Sequence, residues 1–472
     1  MANSFNLRKS SPNPSLEEEY HARALRFLSL TIFLLMADPL MNIYIGPAPI
    51  YAIDFLAFIT WVSANRIPST RRYPLRGFVI LILIAMLASE LIAGIQLGTL
   101  LQPTYLIIRT LLAISLFFSV PRIIQCKSDL VTLMKAGLLG AIITATLMVA
   151  SSLPQTQGLI ARRVFSYSFL LPSADDVAAA YGSAGMAMRG QSLIGVSILS
   201  AAFLNTIWPM LFLLRADEKL GARWKAATLL AIILVPLGIV MSYSRGAIAG
   251  LVMIVFIVLL LNSGKVRGPV VIGVGIAILI FSWVGWGSQY FKFEWLQNKT
   301  EYQFTYVDQS TDMTYRIDAY FDPFLFTLKN PAFIFLGEGF ARYKIAGAPS
   351  MSSGFASHAV FASATFGYGM LAAVAYVFLL IGTFRITWGY AWRSKNDFLK
   401  LFSRALLAGL FGLAGWFVQG PAAVSEPRGA MLLFFIFGLA AAQSNFAGSP
   451  EPVEPEQVPL PLRNSARNSA LG

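Results

Sequence analysis

The chain has little of what a soluble enzyme is built from. Of its 472 residues only 12% are charged, with 23 acidic and 36 basic side chains, about half the share found in a soluble domain. It holds one cysteine, Cys126, so no disulfide forms within it. It holds two histidines, His21 and His358, one in a polar N-terminal stretch and one beyond residue 350. Paired histidine and thiolate ligands for a zinc ion are therefore absent. What is abundant is apolar: 56% of residues are hydrophobic, and they come in runs long enough to cross a bilayer, which takes about 17 to 25 residues.

Twelve such runs are readable, centred on 25–45, 47–64, 77–96, 103–120, 136–153, 193–214, 226–243, 246–262, 269–287, 358–384, 405–419 and 429–446. Continuous apolar runs exclude a membrane β-barrel, whose strands alternate polar and apolar residues. The expected fold is all-α: a polytopic helical bundle of about twelve transmembrane helices with a large, partly helical extracytoplasmic loop. Residues 1–22 are expected to form a cytoplasmic N-terminal tail, with Ser15 and Glu18 at capping-box spacing for a short interfacial helix. The bundle covers 23–446. Residues 447–472 are rich in proline and poor in apolar residues, and read as a disordered cytoplasmic tail. No small-residue cleavage site follows the first apolar run, so it is not read as a signal peptide.

The net charge of +13 would suggest nucleic acid in a soluble protein. Here the basic residues fall in alternate loops: Arg66, Arg71, Arg72 and Arg76, then Arg122, Lys127 and Lys135, then Arg215, Lys219, Arg223 and Lys225, then Lys265 and Arg267, and last Arg385, Arg393, Lys395, Lys400 and Arg404. The positive-inside rule makes these loops and both termini cytoplasmic. The excess is a topology signal, and no nucleic-acid partner is expected. Two outer loops are long, 154–192 and 288–357. The second is of a length that is usually functional or disordered; it carries Asp308, Asp312, Asp318, Asp322 and Glu338, most of which are expected to solvate it. The absence of an internal repeat weakens the usual inverted-repeat transporter architecture.

Three sets of residues could carry chemistry. Arg189, Arg245 and Arg316 lie on the outer side, against the positive-inside bias, and a guanidinium fork suits phosphate oxygens; alternatively each snorkels to headgroups. His358 stands where the outer loop re-enters the membrane. A histidine of ordinary pKa is largely neutral at pH 7 and can accept a proton from a hydroxyl, or it makes an ordinary interfacial hydrogen bond. Asp38, Asp54, Glu90 and Arg109 lie in the outer halves of the first four runs. Glu90 and Arg109, at similar depth on consecutive helices, are expected to pair, either as a structural lock or as part of a functional path. GEGF at 337–340 lacks the strand–turn–helix setting of a nucleotide loop and reads as a tight turn. In SYSRG the first glycine of a nucleophile elbow is replaced by Ser242. Asn298–Lys299–Thr300 is a glycosylation sequon only in a eukaryotic host.

Four stretches in order resemble the O-antigen ligase and Wzy-type polymerase family of bacterial inner membranes: MRGQSLIGVSILSA with Arg189, MSYSRGAIAGLV with Ser244, Arg245 and Gly246, TYRIDAYFDPFLFTLKNPAFIFLGEGF with Arg316, and His358 ahead of FGYGMLAAVAYVFLL. They span residues 189 to about 380; the first five runs match only in character. The chain departs from the family in having Ala359 after the histidine, where asparagine is frequent, and in lacking a Pro-Asn pair after the first arginine's glycine. The resemblance implies cofactor- and metal-independent, inverting glycosyl transfer at the periplasmic face of the inner membrane. The donor is a glycan on undecaprenyl pyrophosphate. His358 is the implied base, and Arg189, Arg245 and Arg316 hold the pyrophosphate. The implied activity is a polysaccharide polymerase joining lipid-linked repeat units; the alternatives are an O-antigen ligase acting on lipid A core and, from another class, a polysaccharide transporter or flippase. Implied partners are the lipid-linked glycans, membrane lipids, and a chain-length regulator and flippase of the same pathway.

Overall fold

The computed structural model describes residues 14–37, 42–45, 48–68, 73–152, 197–242, 244–261, 331–341, 360–419 and 427–447, with the single glycines 268 and 275. Eleven α-helices occupy nearly all of this. They are α1 (Pro14–Ala37), α2 (Ala52–Asn65), α3 (Arg76–Leu97), α4 (Leu101–Ile123), α5 (Lys127–Ser152), α6 (Ser197–Ala216), α7 (Ala222–Met241), α8 (Arg245–Leu261), α9 (Val360–Arg393), α10 (Asp397–Gln419) and α11 (Pro427–Ala447). Seven of them, α3 to α7, α9 and α11, are long and apolar enough to cross a membrane, and α2 and α8 are shorter apolar helices. The run expected at 269–287 and both long loops lie almost wholly outside the described residues.

Helices such as α3 and α8 are apolar on the exposed face as well as the buried one, the pattern of a membrane-type bundle. On α3, Val79, Ile82 and Met86 face the core, while Ile80, Ile84, Leu91 and Ile95 are exposed. On α8, Val252, Phe256 and Leu260 are exposed in the same way. Helices α6 and α11 are the exception: about nine-tenths of each spanning window is buried, so each is enclosed by its own neighbours.

Small residues and side-chain amides hold the helices together, as expected where lipid removes the hydrophobic drive between helices. Asn445 of α11 donates to the carbonyls of Pro121 (2.7 Å) and Ile124 (2.8 Å) at the end of α4. Asn205 of α6 donates to Ala247 O of α8 at 2.9 Å. Pro236 interrupts α7 and has no N–H to offer the carbonyl four residues back. That carbonyl, Ile232 O, is taken by Trp208 Nε1 of α6 at 3.1 Å, so the acceptor left over at the proline becomes an interhelical contact.

The first two runs are not simply two helices. Between them stands a two-stranded antiparallel hairpin, β1 (Asn42–Ile45) and β2 (Ala48–Tyr51), in register from Asn42↔Tyr51 to Ile45↔Ala48. Proline at 39, 47 and 49 denies a helix its donors, and the β-branched and aromatic Ile43, Tyr44, Ile45 and Ile50 suit extended backbone. Elsewhere helices outrun the apolar stretches towards the basic end. α5 begins at Lys127, α9 continues to Arg393 and α10 begins at Asp397, because helix propensity does not stop where hydrocarbon does. Likewise residues 14–22, expected as a tail, include the opening turns of α1.

Those turns are anchored. His21 Nε2 donates to Ile123 O at 2.8 Å and stands 3.4 Å from Asp129 Oδ2. The Asp129 carboxylate, with help from the Ile123 carbonyl and against the effect of burial, raises the His21 pKa above its ordinary 6.5. A raised pKa means that the folded state favours the proton, so the stabilisation is complete below about pH 6.5 and is lost as pH rises through the raised folded value. Thermal unfolding in detergent should show His21→Ala below wild type at acidic pH, with the gap narrowing at alkaline pH. A pH-independent gap would remove the charge from the explanation.

Candidate functional site

The end of the bundle opposite His21 collects the hairpin, the α3–α4 turn, the segment 331–341 and the N-termini of α2, α4, α8 and α11. It carries two buried polar constructions.

The first is built on α2. Asp54 lies in the first turn, where a carboxylate favours the helix N-terminus, and its Oδ2 accepts from Tyr51 N at 3.1 Å. Arg109 Nε of α4 stands 3.2 Å from Oδ1 and 3.1 Å from Oδ2 of the same carboxylate, and Arg109 Nη1 donates to Tyr105 Oη at 3.0 Å. Both charged side chains are nearly sealed, 7% and 5% exposed. The Arg109 guanidinium lies 4.5 Å from the Tyr51 ring centroid, and the Arg428 guanidinium lies 5.4 Å from the same ring. Tyr51 thus stands against two buried arginines from two different helices, a cation–π arrangement that gains strength with desolvation.

The second is built on α3. Glu90 is completely buried. Its Oε1 accepts from Phe340 N at 2.7 Å and its Oε2 from Ala341 N at 3.2 Å, so it serves as a cap, supplied by another helix, for the helical turn opening at Phe340. Before that turn runs the stretch LGEGF. Gly337 N donates to Phe333 O, Glu338 N to Phe366 O and Gly339 N to Gly367 O, each at 2.9 Å, and Met370 N returns to Ile334 O at 2.8 Å. These bonds exist because α9 breaks at Gly369, whose φ of 84° and ψ of 173° belong to a region essentially reserved for glycine. In an unbroken helix Met370 N would take Phe366 O; with the break, both groups are free to bind the incoming segment. Gly337, at φ 65°, fits because a Cβ there would meet Gly367 O at 2.7 Å. The Phe340 and Tyr368 rings close the joint edge-on at 4.9 Å.

The outcome for the expected residues is mixed. Arg109 and Glu90 were expected as a pair. At ion-pair distance the carboxylate beside Arg109 is Asp54, and both Glu90 oxygens go to the backbone of 340–341. Arg109 lies one helix turn from Tyr105 on the face of α4 turned to α2, which sequence depth alone does not reveal. Arg245, expected in the outer turn before the eighth run, is the first residue of α8. The turn before it is ordered by Ser244 N donating to Ser242 Oγ (3.1 Å) and by the Ser244 hydroxyl accepting from Ala247 N (3.4 Å), so SYSRG is a capped helix start. Arg189, Arg316, His358 and Asp38 lie outside the described residues; His358 precedes the first residue of α9 by two positions. GEGF, expected as a tight turn, is instead irregular backbone with positive φ at Gly337 and Gly339 that follows a turn at 334–336 and leads into the helical turn at Phe340. Glu338, counted among loop-solvating acids, is instead buried, at 8% exposure.

Two contributors escaped the sequence reading. Arg428 had a signal: Arg-Gly-Ala opens α11 after a proline, just as Arg-Gly-Ala opens α8 at Arg245. Gly369 had a weaker one, a Gly-x-Gly inside an apolar run facing a second Gly-x-Gly at 337–339. Among the described residues no group of three or more His, Cys, Asp or Glu side chains is placed to hold a metal ion. Compared with models of known protein families and with curated proteins, the chain matches none of them.

Proposed function

We propose that this protein is a membrane glycosyltransferase of the polymerase type. It joins undecaprenyl-pyrophosphate-linked oligosaccharide repeat units at the periplasmic face of a bacterial inner membrane, within a bundle of about twelve spans whose basic end is cytoplasmic. The acceptor hydroxyl attacks the anomeric carbon of the donor with inversion. The bond from that carbon to the pyrophosphate oxygen breaks, His358 takes the hydroxyl proton, and Arg189, Arg245 and Arg316 meet the charge gathering on the leaving pyrophosphate.

The observation that carries the reading is the backbone joint between LGEGF and FGYGM. The first ends the third family-like stretch and the second lies in the fourth, 27 residues apart from Gly339 to Phe366 by numbering, and three backbone hydrogen bonds join segment 331–341 to α9 there. The stretch containing Arg316 therefore finishes against the helix that follows His358. A glycine-specific break and a buried carboxylate cap are devices for holding a loop in one place at a membrane surface, which positioning catalysis requires. The partners seen for Asp54, Arg109 and Glu90, a Tyr51 backbone N–H, one another or the backbone of 340–341, suit a structural role.

The test is reconstitution into lipid vesicles with a lipid-linked repeat unit and a chelator. The expected product is two or more repeats on one carrier, with one undecaprenyl pyrophosphate released per new bond. Repeat units that cross the bilayer unchanged would sink the proposal in favour of a flippase. In cells, loss of a polymerase leaves single repeats, whereas loss of a ligase leaves long polymer on its carrier and none on lipid A core. Arg245→Lys retains the charge but not the fork. It should slow elongation by about tenfold to a hundredfold, the worth of one hydrogen bond to a charged group; an unchanged rate would take Arg245 out of the phosphate site.

A further inference from the structure

At the basic end, far from the joint just described, a cavity of about 910 Å³ opens between α9, the turn at 394–396, the start of α10 and the end of α11. Its rim carries Arg385, Arg393 and Lys395, and its apolar wall includes Ile386, Leu399 and Phe446. We infer that this cavity is a headgroup site for an anionic phospholipid of the leaflet at the basic end.

Three observations carry the inference. The first is charge. Arg385, Arg393 and Lys395 are exposed, and no carboxylate among the described residues pairs with any of them. A second basic recess, lined by Arg23, Arg26 and Arg66, differs in this respect: Glu19 holds Arg23 at 2.8 Å and the Tyr20 ring lies under Arg66 at 5.8 Å. Cations left uncompensated around a hollow suit a phosphate.

The second is depth. Trp388 and Trp392 sit on the same turns of α9 as the cavity and are 42% and 48% exposed; Trp388 stacks on Phe384 and meets Trp392 at a tilt, ring centroids 5.8 Å apart in each pair. Exposed tryptophans one turn apart at the end of an apolar helix mark headgroup level. The cavity therefore opens where lipid phosphates lie. The third is its mixed lining: cations at the rim and Ile386, Leu399 and Phe446 within match a ligand with a phosphate and an attached acyl chain, and basic pockets between spans at this level are sites of anionic lipid recognition. The inference requires only that the bundle sits in a membrane, and is independent of the glycosyl-transfer reading.

The experiment places the full-length protein in phosphatidylcholine vesicles and measures association of spin-labelled phosphatidylglycerol against spin-labelled phosphatidylcholine. Each basic group near the surface is worth about a fivefold preference. The triple variant Arg385→Gln, Arg393→Gln, Lys395→Gln should therefore lose about tenfold or more of the preference for phosphatidylglycerol. The triple variant Arg215→Gln, Lys219→Gln, Arg223→Gln removes the same charge from another loop of that end and should retain it. Exchanging Arg385 and Arg393 for lysine should keep most of it, which guards against misfolding of the glutamine variant. Equal losses in both glutamine variants would overturn the site in favour of diffuse surface charge. Displacement by soluble glycerol phosphate would make it a free-phosphate site. A preference that emerges only after Glu451, Glu454 and Glu456 are changed to glutamine would make the chain's own acidic C-terminal stretch the occupant.

Discussion

Replacing His358 with alanine is expected to slow elongation of a lipid-linked repeat by about 10²- to 10⁴-fold, the usual worth of general-base assistance, with little change in donor KM. An acceptor hydroxyl must lose its proton as it attacks, and the chain has only one histidine besides His21, which is committed at the opposite end of the bundle to Ile123 and Asp129. The lipid-linked donor is held by its pyrophosphate, so removing the imidazole should act on kcat. The measurement is single-turnover elongation in vesicles, with thermal unfolding of the same preparation to show that the fold is intact. A His358→Ala protein that elongates at the wild-type rate would end the assignment. The flippase alternative makes that very forecast, together with loss of function on substituting Asp54, Glu90 or Arg109.

Glu90→Ala is expected to destabilise the protein by about 2–6 kcal/mol, because it leaves two buried backbone donors, Phe340 N and Ala341 N, each costing about 1–3 kcal/mol when unsatisfied. Glu90→Gln keeps one acceptor oxygen but points an amide N–H at the other donor, so it should fall between wild type and alanine. The change is local to the joint. Segment 331–341 should become the first site of proteolytic cleavage while the α4–α11 contact, held by Asn445, stays protected. Three proteins with the same melting temperature and cleavage pattern would show that the cap contributes nothing. If the joint positions the catalytic stretches, elongation in Glu90→Ala should fall well below what the folded fraction accounts for.

Much of the architecture was legible in the sequence because its causes are local. Long apolar runs become membrane-type helices, since a backbone in lipid must satisfy its own polar groups, and seven helices of the described residues meet that requirement. Arg245, placed by the sequence in the turn before an apolar run at 246–262, stands at the start of α8. The hairpin at 42–51 was less legible, because hydropathy is blind to the difference between an apolar helix and an apolar strand, and the three prolines were the better guide. Partner choice was not legible at all. Glu90 and Arg109 sit at matching depth on consecutive helices, yet Arg109 goes to Asp54, 55 residues away, and Glu90 to a backbone some 250 residues away. Depth is set by position along a helix; partner is set by rotation about its axis, which only packing determines.

By itself, then, the sequence determined that this is an apolar helical bundle, which loops carry the positive charge, and that one histidine and a few arginines are its scarce chemical resources. The tertiary structure alone decided that α9 breaks at Gly369 to receive LGEGF, that Tyr51 stands between Arg109 and Arg428, and that a buried glutamate from α3 caps a turn in a distant segment. The division is physical. Burial and charge bias are properties of short windows of chain, whereas a hydrogen bond spanning 250 residues exists only once the helices have chosen which faces to turn towards one another.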